Sequence, residues 1–325
     1  MKEFIAGKNE NNMRISRFVE KTCPTMPKSL LQKSFRNGRI KIKGKKALAS
    51  YKLAEGDIIH LYINDEFFET DIQKLSRVQK KAKPVAIERI VYEDENIIIV
   101  NKPVDTLVHS DITNDDTLLE EVTSYLSNTK QYNSSLENLF HPAACNRLDR
   151  GTEGLVIFAK NFIALQEMNL YIKNHEIRKK YLCIAYGNIE NGLYKAFIKR
   201  DIVTKTVAVN EKHFTGSKEI QTKFTNVKHK GNFCLLDVEL ITGRTHQIRA
   251  HLSSLNCPII GDMKYGNKLI NQKLQKKHQL LIAYKLVFSE NFTNSKVLHN
   301  LAGKTVETSV SAFRKEFENL SRTTE

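Results

Sequence analysis

The sequence predicts an α+β protein: a small α/β module, then a larger domain built on a large mixed, mainly antiparallel sheet. Three observations carry this. Short β-branched runs dominate the chain after about residue 88, and the helical segments between them are too irregularly placed for a regular βαβ alternation. A dense basic stretch near the N-terminus has helix and strand periodicities of its own. Between the two, residues 64–88 are charged, interrupted at Lys83-Pro84 and without a sustained apolar period, which reads as a linker.

In the module, taken as residues 13–63, Ile15, Phe18 and Val19 fall at helical spacing. Pro27 suits the first turn of a second helix that carries Leu30, Leu31 and Phe35 inward and stops at Asn37-Gly38. Arg39-Ile40-Lys41-Ile42-Lys43 alternates basic and apolar, a half-buried strand with one cationic face. Gly44 turns the chain, and Asp57–Ile63 reads as a closing strand. Beyond the linker, strands are expected at Ile90–Tyr92, Ile97–Val100, Leu155–Phe158, Tyr181–Tyr186, Phe233–Leu240 and Leu281–Phe288. Helices are expected at Thr117–Leu126, Phe162–Lys173 and Thr245–Leu255. The larger domain is taken as 89–300, with a C-terminal segment at 301–325.

Composition excludes several classes. The 325 residues are 41% hydrophobic and 27% charged, a globular balance with enough apolar material for a sizeable core. The longest apolar stretches, such as Ile97–Val100 and Leu280–Tyr284, are far too short to span a bilayer. Met1-Lys2-Glu3-Phe4-Ile5 turns polar at once, without a secretory segment. A soluble, cytoplasmic protein without membrane contact is expected. Cys23, Cys145, Cys183, Cys234 and Cys257 are odd in number, scattered and without a CxxC pair, a pattern of neither a disulfide framework nor a zinc site. They are expected as small core residues.

The net charge of +15 is unevenly spread. Between Met13 and Tyr62, twelve Lys or Arg face three acids, so this stretch holds +9 of it. So dense a patch reads as an electrostatic footprint for a polyanion, nucleic acid before any other.

Three clusters in the larger domain could do chemistry. In Asn146-Arg147-Leu148-Asp149-Arg150-Gly151-Thr152-Glu153-Gly154, a loop feeds an apolar strand and sets Asp149 on its edge between two arginines. On its own that is the pattern of a local ion pair. Arg178-Lys179-Lys180-Tyr181 opens a strand, by itself a basic strand end with a packed tyrosine. In Thr242-Gly243-Arg244-Thr245-His246-Gln247-Ile248-Arg249-Ala250-His251, residues Ile248, Leu252 and Leu255 form the core stripe of a helix. Arg249 shares another stripe with Thr245 and His246, directed off that core. The two histidines, five apart, do not share a metal-binding face.

In combination the motifs are far more specific. From about Ile90 to Phe288 the chain closely resembles the RluA-type RNA pseudouridine synthases, the large-subunit ribosomal RNA family. The matching segments are YEDENIIIVNKP (Tyr92–Pro103) with Val108-His109, RLDRGTEGL, KKYLCIAYG (Lys179–Gly187), TGRTHQIRAHL (Thr242–Leu252) and PIIGDMKYG (Pro258–Gly266). The N-terminal module resembles the RNA-binding module of ribosomal protein S-four, through Arg14-Ile15, SLLQKSFRNGRIKIKGK (Ser29–Lys45) and LAEGDII (Leu53–Ile59).

The resemblance implies an enzyme that isomerises uridine in RNA, without cofactor or metal. It makes Asp149 the essential aspartate, Tyr181 the active-site tyrosine and Arg249 the arginine that pairs with the aspartate. Arg147 would fill the space of the extruded nucleotide, and Arg244 and His246 would line the substrate. Arg14, Lys28, Lys33, Arg36, Arg39, Lys41 and Lys43 would meet RNA phosphates. Asn146 stands where His is common, Glu153 where Ser or Gly is usual, Asp105 and Asn256 in place of Gly, and Lys43 in place of Asn. Three other readings remain open at this stage. One is a non-catalytic RNA-binding or ribosome-assembly factor; another is a synthase acting on transfer RNA. The third is a glycosidase that would need Glu153 as its second acid. Nothing suggests an obligate interface, so a monomer is expected.

Overall fold

The computed structural model describes residues 1–68, 82–110, 116–134, 137–201 and 206–322. They form two compact units. The first comprises Met1–Val85, Asp116–Ala143 and Ala159–Gln166; the second comprises Ala86–Asp115, Ala144–Phe158 and Glu167–Glu325.

The first unit holds β1 (Lys2–Ile5), α1 (Ile15–Thr22), α2 (Lys28–Arg36), β2 (Ile40–Ile42), β3 (Lys45–Lys46), β4 (Ile58–Leu61) and α3 (Leu118–Asn128). Its antiparallel sheet has the order β1-β4-β2-β3. α1 buries Ile15, Phe18 and Val19, the stripe read from its spacing. In α2, Leu31 and Phe35 are buried but Leu30 is only half-buried. Ser34 takes the third inward place, because its hydroxyl donates back to the Leu30 carbonyl at 2.9 Å and so needs no outside partner. β1 lies upstream of the residue 13 boundary. It pairs with β4 from Lys2↔Leu61 to Ile5↔Ile58, and its two periods of alternation are too few to mark a strand in the sequence.

Residues 69–81, the centre of the expected linker, lie outside the described residues. The described flanks are packed rather than loose: Phe68, Ala82 and Val85 are buried. These are single apolar residues in charged surroundings, which show no period. α3 starts one residue after its expected first residue, because Thr117 is its cap. The Thr117 hydroxyl accepts from Glu120 N at 3.2 Å, and the Glu120 carboxylate accepts from Thr117 N at 2.8 Å.

The boundary between the units passes through β7 (Ala143–Ala144) and α4 (Phe162–Lys173). The second unit contains β5 (Ile90–Glu93), β6 (Ile97–Lys102), β8 (Glu153–Ala159), β9 (Ile177–Tyr186), β10 (Gly192–Arg200), β11 (Val207–Asn210) and β12 (Lys218–Lys230). It continues with β13 (Phe233–Leu240), α5 (Gln247–Ser254), α6 (Lys268–Lys273), β14 (Leu281–Phe288), β15 (Thr305–Glu307) and α7 (Ser311–Arg322). The strand order is β11-β10-β12-β13-β9-β14-β8-β6-β5, with β15 beside β14. β14 runs parallel to β8, while β9, β10, β12 and β13 pair antiparallel, so the sheet is mixed and mainly antiparallel as expected.

Strands β10 to β12 were not legible. Ala196, Ile198, Ile220 and Phe224 are buried, but their alternation is diluted by lysines and threonines on the other face. The segment after residue 300 is no appendage. β15 pairs with β14, and α7 carries Phe317 and Leu320 into the cluster of Leu182, Ile184, Phe233 and Ile282. The five cysteines are free thiols, four of them buried.

The β8–β14 contact makes a demand on Gly154. Its φ is +123°, and a Cβ there would stand 2.3 Å from the Ala283 carbonyl oxygen. Gly154→Ala is therefore expected to destabilise the fold by about 3 kcal/mol or more. Urea denaturation measures this, and an unchanged midpoint would refute the backbone requirement.

Candidate active site

The site is assembled from three segments of the second unit. Asp149 sits in the turn ahead of β8, where Thr152 N donates to its carbonyl at 3.0 Å. Asn146 braces that turn: its Oδ1 accepts from Ile157 N at 2.8 Å. Gln279 closes over Gly151, where a Cβ would meet its Oε1 at 2.5 Å, and donates to the Thr152 hydroxyl at 3.0 Å. Asp149 is thus held by backbone and neighbours before any charge acts on it.

Arg249 comes from α5. The helix begins at Gln247, two residues later than expected, because His246 adopts a left-handed conformation at φ 54°. Gln247 stabilises the preceding turn, accepting from Arg244 N at 3.1 Å and from the Thr242 hydroxyl at 3.0 Å. Ile248 and Leu252 enter the core as their spacing predicts. Arg249 leaves the apolar stripe, yet it is buried, contrary to the outward direction read from the sequence. The reason is Asp262, whose side chain is fully buried and grips the guanidinium twice. Nε reaches Oδ2 at 2.7 Å and Nη2 reaches Oδ1 at 2.9 Å. The remaining Nη1 donates to Asp149 Oδ2 at 2.7 Å.

Burial opposes the charge of Arg249, but the bonds and charges of Asp262 and Asp149 outweigh it and hold the guanidinium above its ordinary value. Burial likewise pushes Asp262 up, and Arg249 with the amides of Tyr265 and Lys264 more than reverses this. Asp149 is different: its side chain keeps 29% exposure, so one face of an aimed carboxylate is open to a substrate.

Around this core stand Tyr181, His246 and Tyr265. Tyr181 on β9 is buried, and burial followed by the charge of Asp149 raises its phenol. His246 Nε2 lies 3.9 Å from Asp149 Oδ2, and its Nδ1 is 2.8 Å from the Tyr265 hydroxyl. Burial lowers the imidazole despite Asp149, so at neutral pH it is uncharged. The Tyr265 ring also lies 5.3 Å from the guanidinium carbon of Arg249.

The structure brings Asp149, Arg249 and His246 together, with Tyr181 within reach of the charge of Asp149. Arg147 and Arg244 are exposed. The charge of Arg147 reaches His109, whose imidazole is lowered first by burial and then by that charge. Sequence reasoning missed Asp262 and Tyr265 as parts of the site. The available signal was a lone acid directly after the apolar Pro258-Ile259-Ile260-Gly261, where an unpaired carboxylate is costly.

In the first unit, Arg14, Lys28, Lys33, Arg36 and Arg39 are exposed. Lys41 is half-buried, 5.1 Å from the Tyr62 ring. Lys43 is exposed as well: it takes a left-handed φ of 47° beside Gly44, and its ammonium pairs with buried Asp57 at 3.0 Å.

The chain shares its fold with a solved human protein, RNA Pseudouridylate Synthase Domain Containing 4, at a TM-score of 0.56 and 18% identity over 72% of this chain and 93% of that one. Residues 96–254 match the RNA pseudouridylate synthase family. The chain is 33% identical to an uncharacterized RNA pseudouridine synthase of Mycoplasma genitalium, over 88% of each. It is 31% identical to ribosomal large subunit pseudouridine synthase C of Buchnera aphidicola, over 84% of this chain and 83% of the relative. It belongs to the RNA pseudouridine synthase family. The protein is an enzyme with RNA as substrate. Among the described residues no helix is long and apolar enough to cross a membrane.

Proposed function

We propose that the chain isomerises uridine in large-subunit ribosomal RNA, with Asp149 as the essential carboxylate. The observation that carries the reading is the Asp262–Arg249–Asp149 clamp. Two buried contacts lock the guanidinium, and its last donor aims a carboxylate that remains open on one side. The choice of RNA rests on the name of the Buchnera relative.

The reaction breaks the bond between uracil nitrogen 1 and the sugar, turns the base and joins its carbon 5 to the same sugar carbon. The carbon 5 proton leaves and nitrogen 1 gains one, so atoms and electrons balance without an oxidant. Asp149 supplies either a nucleophile for the sugar or a base acting on it. Arg249 stabilises the carboxylate charge in a partly desolvated pocket. Tyr181, with its phenol raised by burial and by Asp149, is neutral at working pH. It therefore offers the uracil a ring face and a hydroxyl relay for the carbon 5 proton, not a phenolate. Since the target base is stacked in RNA, it must flip out; Arg147 is exposed and free to occupy the gap, with Arg244 and His246 beside the substrate. Tritium release from large-subunit RNA labelled at uracil carbon 5 tests the activity. Release from transfer RNA alone would overturn the substrate, and release from neither would overturn the reaction.

The first unit, with its S-four-like segment at residues 13–63, serves as the RNA anchor. Lys33, Arg36 and Arg39 are exposed on and just after α2, where phosphates supply the counter-charge. Replacing all three by Ala is expected to flatten log affinity against log salt by about two units for single-stranded contacts. KM for long RNA rises, while kcat on a saturating short substrate changes far less. An unchanged salt slope would refute the anchor.

A further inference from the structure

Tyr265 stands between the backbone at the start of β11 and the active-site imidazole. Its hydroxyl oxygen accepts from Val207 N at 3.0 Å and lies 2.8 Å from His246 Nδ1. The backbone of Tyr265 is itself held on both sides. Its N–H donates to Asp262 Oδ1 at 3.0 Å, and its carbonyl accepts from the Ser253 hydroxyl at 2.8 Å. A backbone N–H can only donate, so the Val207 contact makes the phenol oxygen an acceptor and leaves its hydrogen for one other partner. Among the described residues that partner is His246 Nδ1. Nδ1 therefore accepts, and the proton of the neutral imidazole is on Nε2. The opposite tautomer would aim two N–H groups at one oxygen and strand the phenol hydrogen. It would also turn the Nε2 lone pair toward Asp149 Oδ2, acceptor against acceptor at 3.9 Å.

An unspent donor is thus set beside the reacting carboxylate. A separation of 3.9 Å is too long for a hydrogen bond, so Asp149 does not consume the Nε2 hydrogen. The His246 side chain keeps 15% exposure at the start of α5. We infer that His246 is a catalytic residue of the isomerisation: its Nε2–H binds oxygen 2 of the uracil as the bond to the sugar breaks, and Tyr265 is the positioning residue that fixes its tautomer. The inference rests on the reading of Asp149 given above. When nitrogen 1 parts from the sugar carbon, the electron pair of that bond goes to the uracil. The negative charge spreads over nitrogen 1 and the two carbonyl oxygens. Oxygen 2 is next to the breaking bond, near the sugar on which Asp149 acts, whereas oxygen 4 lies across the ring. A neutral donor stabilises this anion without surrendering its proton, so the hydrogen stays on Nε2 and no other group is consumed.

Charge state matters as much as tautomer. Burial is the largest influence on His246 and opposes its protonation; Arg249 and Lys264 act with burial, Asp149 and Asp262 against it. The imidazole is held below its ordinary 6.5. Burial also raises the Tyr265 phenol, against the Val207 amide and the charge of Arg249, so the hydroxyl keeps its hydrogen at working pH. A protonated His246 would carry a hydrogen on Nδ1 as well, facing the hydroxyl that otherwise donates to it. Its charge would pair with Asp149 and mask the carboxylate. Activity therefore falls as pH falls through the folded value of His246, below 6.5.

Three measurements test this. Nitrogen-15 NMR of the imidazoles at neutral pH, with His246 assigned by its loss in His246→Gln, is expected to show the proton on Nε2. A proton on Nδ1, or a cationic ring, overturns the inference. On a short RNA, His246→Phe is expected to lose about a hundredfold in kcat with little change in KM. With 2-thiouridine at the target position, whose sulfur is a poor acceptor, the same substitution is expected to cost about tenfold or less. An equal loss on both substrates overturns the contact with oxygen 2. Tyr265→Phe keeps the ring but no longer donates to Nδ1, so protonation of His246 is less opposed. Its acid limb is expected to move to higher pH by about half a unit, roughly a threefold loss of kcat on that limb. A limb that stays in place overturns the role of Tyr265. If either variant fails to fold by circular dichroism, the wild-type tautomer and the other variant decide. With tritium released by wild type and Asp149→Asn inactive, each of these failures leaves the role of Asp149 standing; a wild type that releases none overturns both.

Discussion

Asp149→Asn is expected to abolish isomerisation and to leave the fold in place. The amide oxygen of Asn can still accept from Arg249 Nη1, whose contact with Asp149 is 2.7 Å long. Asp262 still neutralises the guanidinium through its two buried bonds. The structural loss is therefore one charge-assisted hydrogen bond at a group that is 29% exposed, a cost of about 1 kcal/mol. The chemical loss is complete, since an amide is neither a nucleophile for the sugar nor a base. Tritium release below about a hundredth of wild type, from protein with an unchanged circular dichroism spectrum, is the expected result. Turnover above that level would remove Asp149 from the essential role.

Arg249→Ala is expected to fail in both activity and stability. The substitution leaves Asp262, with a fully buried side chain, facing a cavity without its counter-charge. Breaking a buried pair from one side costs about 3–5 kcal/mol, and urea denaturation at neutral pH measures it. The pH dependence has a definite sign. In the wild type Asp262 is lowered below 3.8, so its contribution is present above that value and is lost as pH falls through the folded value. In Arg249→Ala only the amides of Tyr265 and Lys264 still oppose burial, so Asp262 rises from its wild-type value and the deficit in stability shrinks on acidification. Adding Asp262→Asn should recover much of the stability at neutral pH without recovering turnover, because Asp149 still lacks its partner. A double variant as unstable as the single one would show that Asp262 is not the source of the cost.

Much of the molecule is written in local pattern. The stripe of Ile15, Phe18 and Val19 and the runs that became β6, β8, β9, β13 and β14 each declare their burial in the sequence. Such signals are legible because burial acts on neighbouring residues at a fixed period of about 3.6 or 2. Where one face of a strand is solvated and carries lysines, as in β10 and β12, the signal fades. The same holds for β1 and β15, which are short strands beside longer ones.

The site divides along the same line. By itself, the sequence determined the kinds of groups present: an aspartate in a glycine-bearing loop, a tyrosine on a strand, an arginine off an apolar stripe and a basic N-terminal face. Residue pattern did not determine how these charges are paired; the pairing of Arg249 with Asp149 was implied by the family resemblance alone, and that with Asp262 was not foreseen. Asp149 and Arg249 are 100 residues apart, and Lys102 reaches the Arg150 carbonyl across 48. Asp262 is only 13 residues from Arg249, yet it meets it through a turn and not along the helix. Those encounters depend on the order of strands in the sheet, which local periodicity does not encode. Only the tertiary structure decided that an arginine directed off the core would be buried: desolvation there is tolerable when two carboxylates converge on one guanidinium, and convergence is a property of the fold.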